Sequence, residues 1–260
     1  MKTISTLLAC GIISVACLPS SRAQILINET FDSYADTAAM NANWTRVQGA
    51  GNVATLDTLL GNPGQSGRHD GTAAATGWTG SSISVTPTDS APLRLTADLW
   101  YSGASNQRNT VGLRNGASPL FEVGFYNDGA LSATGLAVRV LNFAGNNNWV
   151  GLKSYGDLGT GGGTEQWIRV EATFTGTALA LTYDLGANGS VDGSFNSSGA
   201  GYANPFNSLR FGGPSALTSA TGGFNVDNIK LEVIPEPSTL TLIALGALSL
   251  GMLARCRRRE

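Results

Sequence analysis

The chain has 260 residues, of which 34 are glycine and only 13% are charged, whereas globular proteins average roughly 7% glycine and about 25% charged residues. This composition excludes a long helical bundle or coiled coil, whose exposed faces need many charged side chains, and it favours short strands joined by tight turns. With 42% hydrophobic residues and a net charge of −2, the chain also lacks the composition of a disordered protein.

The N-terminal segment predicts a secretory signal peptide over residues 1–23. A lysine stands at position 2, residues 4–18 are almost wholly apolar or small, and small residues precede the predicted cleavage between Ala23 and Gln24. We therefore expect export by the Sec machinery and removal of the segment by signal peptidase. Two alternatives stay open. One is lipidation at Cys17, and the other is an uncleaved anchor, for which the apolar run is shorter than the ~20 residues of a bilayer span.

Alternation of apolar and polar residues predicts strands throughout residues 24–233. In the run 93–99, for example, leucine and alanine alternate with polar residues, as in a strand with one buried face. Clusters of glycine and asparagine between such runs suit tight turns, and no segment has convincing helical periodicity. The predicted strands cover residues 25–31, 83–86, 93–99, 120–126, 136–143, 149–155, 167–174, 179–185, 208–211 and 224–233.

The order of these features resembles the concanavalin A-like, LamG-type jelly roll. The resemblance depends on a first strand at 28–32, a central pair at 167–171 and 179–183, and a closing strand at 224–231. It implies an all-β fold in which residues 24–233 form a single two-sheet sandwich. It also implies that the first and last strands pair, which would place the following linker at the base of the domain.

No catalytic motif stands out in the predicted domain. Retaining glycosidases place two carboxylates about 5 Å apart, and no Glu-x-Asp-x-x-Glu or similar motif occurs. His69 is the only histidine, and we interpret it as a surface residue in a glycine-rich loop. Residues 24–233 contain no cysteine, which excludes a disulfide and a thiolate metal site there. The alternative is a polysaccharide hydrolase or lyase with a dispersed site that uses Glu122, Glu171 or Asp98.

The segment 184–193 is a candidate calcium loop. Asp184, Asn188 and Asp192 offer oxygen ligands between glycines, but the closing bidentate glutamate of an EF-hand is missing. A polar hairpin turn explains the pattern equally well, so both interpretations stay open.

Aromatic residues beside amides predict a carbohydrate-binding surface. Trp149 directly follows a run of asparagines, so we expect an exposed platform for a sugar ring, with Asn147, Asn148 and Tyr155 nearby. The alternative is that these rings fill the core. Nucleic acid is an unfavourable partner, because residues 24–233 contain 10 basic and 16 acidic residues, a net charge of −6.

The C-terminal segment 234–260 predicts a sorting signal. A Pro-Glu-Pro sequence precedes an apolar segment at about 238–254, which is long enough for a transmembrane helix, and the arginines after it favour a cytoplasmic end. These three features in this order resemble the PEP-CTERM sorting signal of Gram-negative bacteria, also catalogued as an ice-binding protein C-terminal domain. The alternative is a plain linker with a permanent anchor. The residues of the motif and of the cytoplasmic anchor are Pro235, Glu236, Pro237, Arg255, Arg257, Arg258 and Arg259.

The PEP-CTERM resemblance implies recognition by an exosortase, an integral membrane protease thought to cut near the Pro-Glu-Pro and to release or re-attach its substrate. We therefore expect a non-enzymatic, exported protein of the cell envelope or extracellular matrix that binds or structures exopolysaccharide in a biofilm. The predicted partners are the exosortase, signal peptidase, the Sec machinery, the membrane and polysaccharide, and calcium is the one cofactor considered.

Overall fold

The computed structural model describes residues 23–48, 54–70, 74–80, 83–105, 107–128, 133–142, 145, 147–159, 164–199, 205–213 and 224–234. All of them belong to one unit that spans 23–236. Within these ranges no helix is long and apolar enough to cross a membrane. The predicted signal peptide up to Arg22 and the predicted span 238–254 lie outside the described residues.

The described residues form fifteen strands and two short helices. In chain order they are β1 (Gln24–Glu29), α1 (Thr37–Asn41), β2 (Trp44–Gln48), β3 (Thr55–Asp57), β4 (Ser66–His69), β5 (Ala75–Trp78), β6 (Leu93–Tyr101), β7 (Asn109–Asn115), β8 (Ser118–Asp128), β9 (Ala133–Val140), β10 (Asn147–Ser154), α2 (Tyr155–Leu158), β11 (Gln166–Phe174), β12 (Ala178–Leu185), β13 (Gly193–Ser198), β14 (Ser208–Gly212) and β15 (Phe224–Val233).

The strands form two antiparallel sheets. The eight-stranded sheet has the order β13-β12-β11-β6-β15-β4-β3, with β1 paired to β15 off this path, and the seven-stranded sheet has the order β10-β9-β8-β7-β14-β5-β2. Gln24 lies opposite Val233 in the β1–β15 ladder, so the first and last strands pair as predicted. The predicted all-β, two-sheet sandwich is confirmed.

The core lies between the two sheets and is filled by the alternate, inward-facing residues of both. Leu95, Ala97 and Leu99 of β6 are at most 1% exposed. Rings meet across the sandwich at near right angles, with centroids of Phe121 in the seven-stranded sheet and Phe174 in the eight-stranded sheet 4.9 Å apart. A buried large apolar side chain contributes about 1.5–3 kcal/mol, so this shared core holds the sheets together.

Short strands with few apolar residues were not predicted from the sequence. They are β2, β3, β4, β5, β7 and β13, and the two helices were missed as well. Of the predicted segment 83–86, only Val85 makes a bridge, to Phe206. Three to seven residues with few apolar side chains give too few alternations to reveal a period, so pairing with neighbouring strands decides these segments.

Candidate functional site

The described chain ends at the base of the sandwich, where the tail begins. The amide of Ile234 donates to the carbonyl of Pro92 at 2.8 Å, and Val233 pairs with Gln24. Ala23 and Gln24, the predicted cleavage residues, are exposed there. The Pro-Glu-Pro and its arginines lie outside the described residues. Both predicted processing segments therefore join the domain at paired neighbouring strands.

Trp149 is not an exposed platform, so that prediction is wrong. It is 3% exposed and lies on β10, where its ring stacks on Tyr126 at 3.9 Å between centroids and 16° between planes. The guanidinium of Arg139 covers the ring at 4.9 Å. Ala137, on the strand between, belongs to the same small cluster, and its short side chain leaves room for the two rings to meet.

The other predicted sugar contacts do not form one surface. Tyr155 begins α2, is 5% exposed, and donates its hydroxyl hydrogen to the carbonyl of Gln107. Burial raises the pKa of Tyr155, so its hydroxyl stays a neutral donor. Asn148 is exposed, whereas the side chain of Asn147 lies outside the described residues.

The candidate calcium loop is a polar turn between β12 and β13. The carboxylate of Asp184 accepts backbone N–H groups of Asn188 at 3.1 Å and Gly189 at 2.7 Å. Asp192 accepts the amide of Leu185 at 2.6 Å. The predicted ligand oxygens thus bind the chain itself, and among the described residues no three His, Cys, Asp or Glu side chains are placed to hold a metal ion.

Of the three carboxylates of the enzyme alternative, Glu122 lies apart from the other two. Glu122 lies on β8 and points away from the core, where it pairs with Arg114 at 2.8 Å and with Arg139. Asp98 and Glu171 lie on the outer face of the other sheet, because their neighbours in the strands fill the core. Packed sheets are about 10 Å apart, so Glu122 is too distant to form a glycosidase pair with either.

His69 is a buried residue rather than a surface one, so that prediction is also wrong. It is 0% exposed because Gly67 and His69 both face inward from β4, a strand that the sequence did not reveal. Gly212 lies against the His69 ring, so closely that a Cβ atom at position 212 would be only 2.8 Å from that ring. Burial lowers the pKa of His69, although Asp70, 3.8 Å away, opposes this.

A groove of about 360 Å³ runs over the outer face of the eight-stranded sheet. It crosses β1, β15, β6 and β11, which are neighbours in that order. Its uncharged lining consists of the amides of Asn28 and Asn228 and the hydroxyls of Thr30 and Thr96. Each of these four groups offers both hydrogen-bond donors and acceptors.

Charged side chains form the rest of the groove and neutralise one another. Arg94 donates from Nε at 2.9 Å and from Nη2 at 2.6 Å to Glu232, whose other oxygen lies 2.8 Å from Lys230. Glu171 lies 3.7 Å from Arg94. Burial disfavours ionisation of Glu232, but its bonds to Lys230 and Arg94 outweigh this and lower its pKa. The groove thus has fixed charges of both signs.

Asp98 does not line the groove itself but orients two of the side chains that do. It is 0% exposed and accepts Nε and Nη2 of Arg169, both at 2.7 Å. Its Oδ2 also accepts the amide hydrogens of Asn62 at 2.9 Å and of Asn228 at 2.8 Å. Arg169 and Asn228 both line the groove, so one buried carboxylate sets the positions of both.

Beside Asp98, the carboxyl of Asp227 is also 0% exposed. It accepts the backbone N–H groups of Asn62 at 2.6 Å and Asn228 at 2.7 Å. Burial, with smaller contributions from the charges of Asp32 and Asp98, raises the pKa of Asp227 to about 7.

We expect Asp227 and His69 to give opposite pH dependences of stability. Asp227 keeps its proton up to about pH 7 in the folded protein, whereas the unfolded chain loses that proton near pH 4. The contribution of Asp227 to the free energy of unfolding therefore falls as the pH rises from 4 to 7. His69 is protonated below about pH 6.5 in the unfolded chain, whereas burial lowers its pKa in the folded protein. The contribution of His69 to the free energy of unfolding therefore falls as the pH drops below about 6.5.

Urea unfolding at pH 5, 6 and 7 measures both effects. In Asp227→Asn the free energy of unfolding should rise more steeply with pH than in the wild type, and in His69→Gln it should rise less. Each substitution should change the slope of the free energy of unfolding against pH by at most about 1.4 kcal/mol per pH unit. Wild-type slopes in both variants would contradict this.

The groove residues were missed because sequence alternation shows only that they face outward. Arg94 and Thr96 alternate with buried apolar residues of β6, and Arg169 and Glu171 alternate with buried residues of β11. The sequence therefore showed that these four side chains face outward. Which outward residues share a groove depends on strand order, which no short-range pattern contains.

Comparison with known proteins identifies the tail. Residues 233–259 match the family model described as the PEP-CTERM protein-sorting motif, which confirms the predicted sorting signal and indicates an exported protein with a membrane-anchored precursor. Among curated proteins, none is similar to the chain in sequence.

Several solved structures are similar in fold. The lectin UEA-II complexed with galactose has 10% identity and a TM-score of 0.48, over 82% of this chain and 99% of the lectin. A protein of unknown function from Shewanella oneidensis MR-1 has 13% identity and a TM-score of 0.45, over 91% and 98%. The calcium- and Man3GlcNAc-bound exoplasmic domain of VIP36 has 10% identity and a TM-score of 0.42, over 75% and 86%.

Proposed function

We propose that this protein is an exported, exosortase-processed component of the cell envelope or extracellular matrix whose β-sandwich binds polysaccharide without cleaving it. The observation that carries the binding role is the polar groove on the eight-stranded sheet. The matched PEP-CTERM motif supports the sorting role.

The sorting step follows from the motif and from the base of the domain. β15 ends at Val233, and the amide of Ile234 donates to the carbonyl of Pro92, so the last described strand ends directly before the Pro-Glu-Pro in the sequence. Two prolines around one residue keep a segment out of helices and central strands. An exosortase would therefore meet an extended substrate, and the cleaved domain would reach the surface or matrix of a Gram-negative cell.

The chemistry of the groove suits a sugar chain. Sugar hydroxyls both donate and accept hydrogen bonds, and the groove offers amides, hydroxyls, guanidinium groups and carboxylates along four adjacent strands. Its volume falls within the roughly 300–1,000 Å³ typical of small-molecule sites. Because Arg94, Lys230 and Glu232 hold one another in place, these groups lose little further freedom when a ligand binds.

The same contacts favour binding over catalysis. A general acid at neutral pH needs a raised pKa in contact with substrate, whereas the pKa of Glu232 in the groove is lowered. Asp227 has a raised pKa but is 0% exposed and occupied by two backbone amides. Asp98 is occupied by Arg169 and two asparagines.

The test is to incubate the segment 24–234 with insoluble and soluble neutral polysaccharides and to measure bound protein and released reducing ends. The segment contains every described core residue. We expect binding without release. Released reducing ends would instead support the alternative, a polysaccharide hydrolase or lyase.

A double variant, Asn28→Ala with Lys230→Ala, tests the location of the site. We expect binding to weaken about tenfold or more, since a hydrogen bond to a charged group contributes about 1.5–3 kcal/mol. Asn196→Ala is the matched control, because Asn196 is an exposed asparagine on β13 of the same sheet and outside the groove. Equal binding by the double variant and the control would refute the groove.

A further inference from the structure

The centre of the groove is a short side chain, Thr96, with long charged side chains around it. Thr96 pairs with Lys230 in the β15–β6 ladder and with Glu171 in the β6–β11 ladder. Arg94 is two residues before Thr96 on β6, and Arg169 is two residues before Glu171 on β11. All five line the groove. Neighbours on one face of a sheet are at most about 8 Å apart, so a ligand group over Thr96 is within reach of all four charged side chains.

The charged groups of the groove differ in exposure according to their sign. Three cations have side chains that are 34–40% exposed, namely Arg94, Lys230 and Arg169. The carboxylates paired with them at hydrogen-bond distance are buried, since the side chain of Asp98 is 0% exposed and that of Glu232 is 3% exposed. Of the groove lining that the structure describes, Glu171 is the one exposed carboxylate, at 43%. A ligand in the groove therefore meets three cations and one carboxylate.

The buried carboxylates are occupied, whereas the cations keep hydrogen-bond donors for a ligand. Both oxygens of Asp98 accept from Nε and Nη2 of Arg169, so Nη1 is not part of this pair. One oxygen of Glu232 accepts from Arg94, and the other lies 2.8 Å from the ammonium group of Lys230. An ammonium group has three donors and a guanidinium has five. The ligand atoms that fit such donors are acceptors, and anionic oxygens are the strongest acceptors.

We propose that the polysaccharide bound in the groove is acidic, and that one of its anionic groups lies over Thr96 among the three cations. The inference rests on the proposed function, because it names the class of polysaccharide that the same groove binds. A hydrogen bond to a charged partner is roughly twice as strong as a neutral one. Residues 24–233 have a net charge of −6, but exposed charges more than about 8 Å apart are largely screened at physiological ionic strength. The nearby cations therefore determine the preference.

The test compares polymers that differ in charge on the segment 24–234, which contains every described core residue. Polygalacturonate is paired with its neutral methyl ester, and dextran sulfate with neutral dextran, with a chelator present to prevent bridging by calcium. We expect the acidic polymer of at least one pair to bind about fivefold more tightly than its neutral partner, and the pair that shows this identifies the anion as carboxylate or sulfate. Added salt should reduce the difference. Equal affinities within both pairs would overturn the proposal.

Two substitutions should change the acidic-to-neutral affinity ratio in opposite directions. Lys230→Gln removes an exposed cation but keeps a donor, so we expect the ratio to fall about twofold to fivefold, the effect of one exposed ion pair. Glu171→Gln removes the exposed carboxylate and should raise the ratio. Lys153→Gln is the matched control, because Lys153 lies on β10 of the other sheet and its loss removes the same charge. Poor folding would lower both affinities together, so the ratio reports the site. The same ratio in the two lysine variants would overturn the proposal.

The failure of this inference is distinguishable from that of the proposed function. If neutral polymers bind in the groove as tightly as acidic ones, this inference alone is overturned. If acidic polymers bind more tightly and their binding is unchanged in the double variant Asn28→Ala with Lys230→Ala, the anion binds elsewhere and the inference is overturned as well. If no polymer of either pair binds, the proposed function fails together with it.

Discussion

Replacing Asp98 by Ala is expected to destabilise the domain by about 1.5–3 kcal/mol, the contribution of hydrogen bonds to a charged group, because the Arg169 side chain is 40% exposed and water can solvate it after the change. The change leaves Arg169 without the two bonds that it makes to Asp98. It also removes the acceptor shared by Asn62 and Asn228. Urea unfolding at pH 7 measures the loss.

Glu171→Ala is the control for this prediction. Glu171 is a carboxylate on the same outer face, but its side chain is 43% exposed and its single described ion pair is 3.7 Å long. Exposed pairs contribute about 0–1 kcal/mol, so its removal should change stability little. Similar stability of the two variants would contradict the role assigned to Asp98. Because Arg169 and Asn228 line the groove, polysaccharide binding should also fall in Asp98→Ala at temperatures where the variant is still folded.

Replacing both Pro235 and Pro237 by Ala is expected to leave the protein as an unprocessed precursor in the inner membrane. Alanine lets the segment join a helix with the apolar residues that follow, and a protease that reads an extended strand would lose its substrate. Immunoblotting of membrane and extracellular fractions in a host with an exosortase distinguishes precursor from product by size.

Ser238→Ala is the control for the proline variant, because it changes the adjacent residue and leaves the Pro-Glu-Pro intact. We expect normal processing there. If the double proline variant is also processed normally, the sorting role assigned to the motif is wrong, and the tail acts as a linker with an anchor.

The long strands could be predicted from the sequence because burial of one face imposes a period of two over many residues. The nine residues of β6 and of β11 show it clearly. β7 has only Val111 and Leu113 facing the core between glycine and polar residues, so its period was too short to recognise. The same reason hid β4 and led to the wrong placement of His69.

The site could be predicted only in part because its contacts join distant parts of the chain. Asp98 and Arg169 are 71 residues apart, and Asn62 and Asp227 are 165 apart. Alternation showed that such residues face outward but not which strands are neighbours. For Trp149 the sequence showed an aromatic beside amides, whereas its burial depends on Tyr126 two strands away in the sheet.

The most direct test of the account is to map the binding site by nuclear magnetic resonance. The isotope-labelled segment 24–234 would be titrated with fragments of the neutral polysaccharide that it binds most tightly, and the shifts of its backbone amides recorded. The largest shifts are expected on β6, β11 and β15 and at the end of β1, around Thr30, Thr96, Glu171 and Lys230. Saturable binding with the largest shifts on the seven-stranded sheet, or no binding to any neutral polysaccharide, would contradict it.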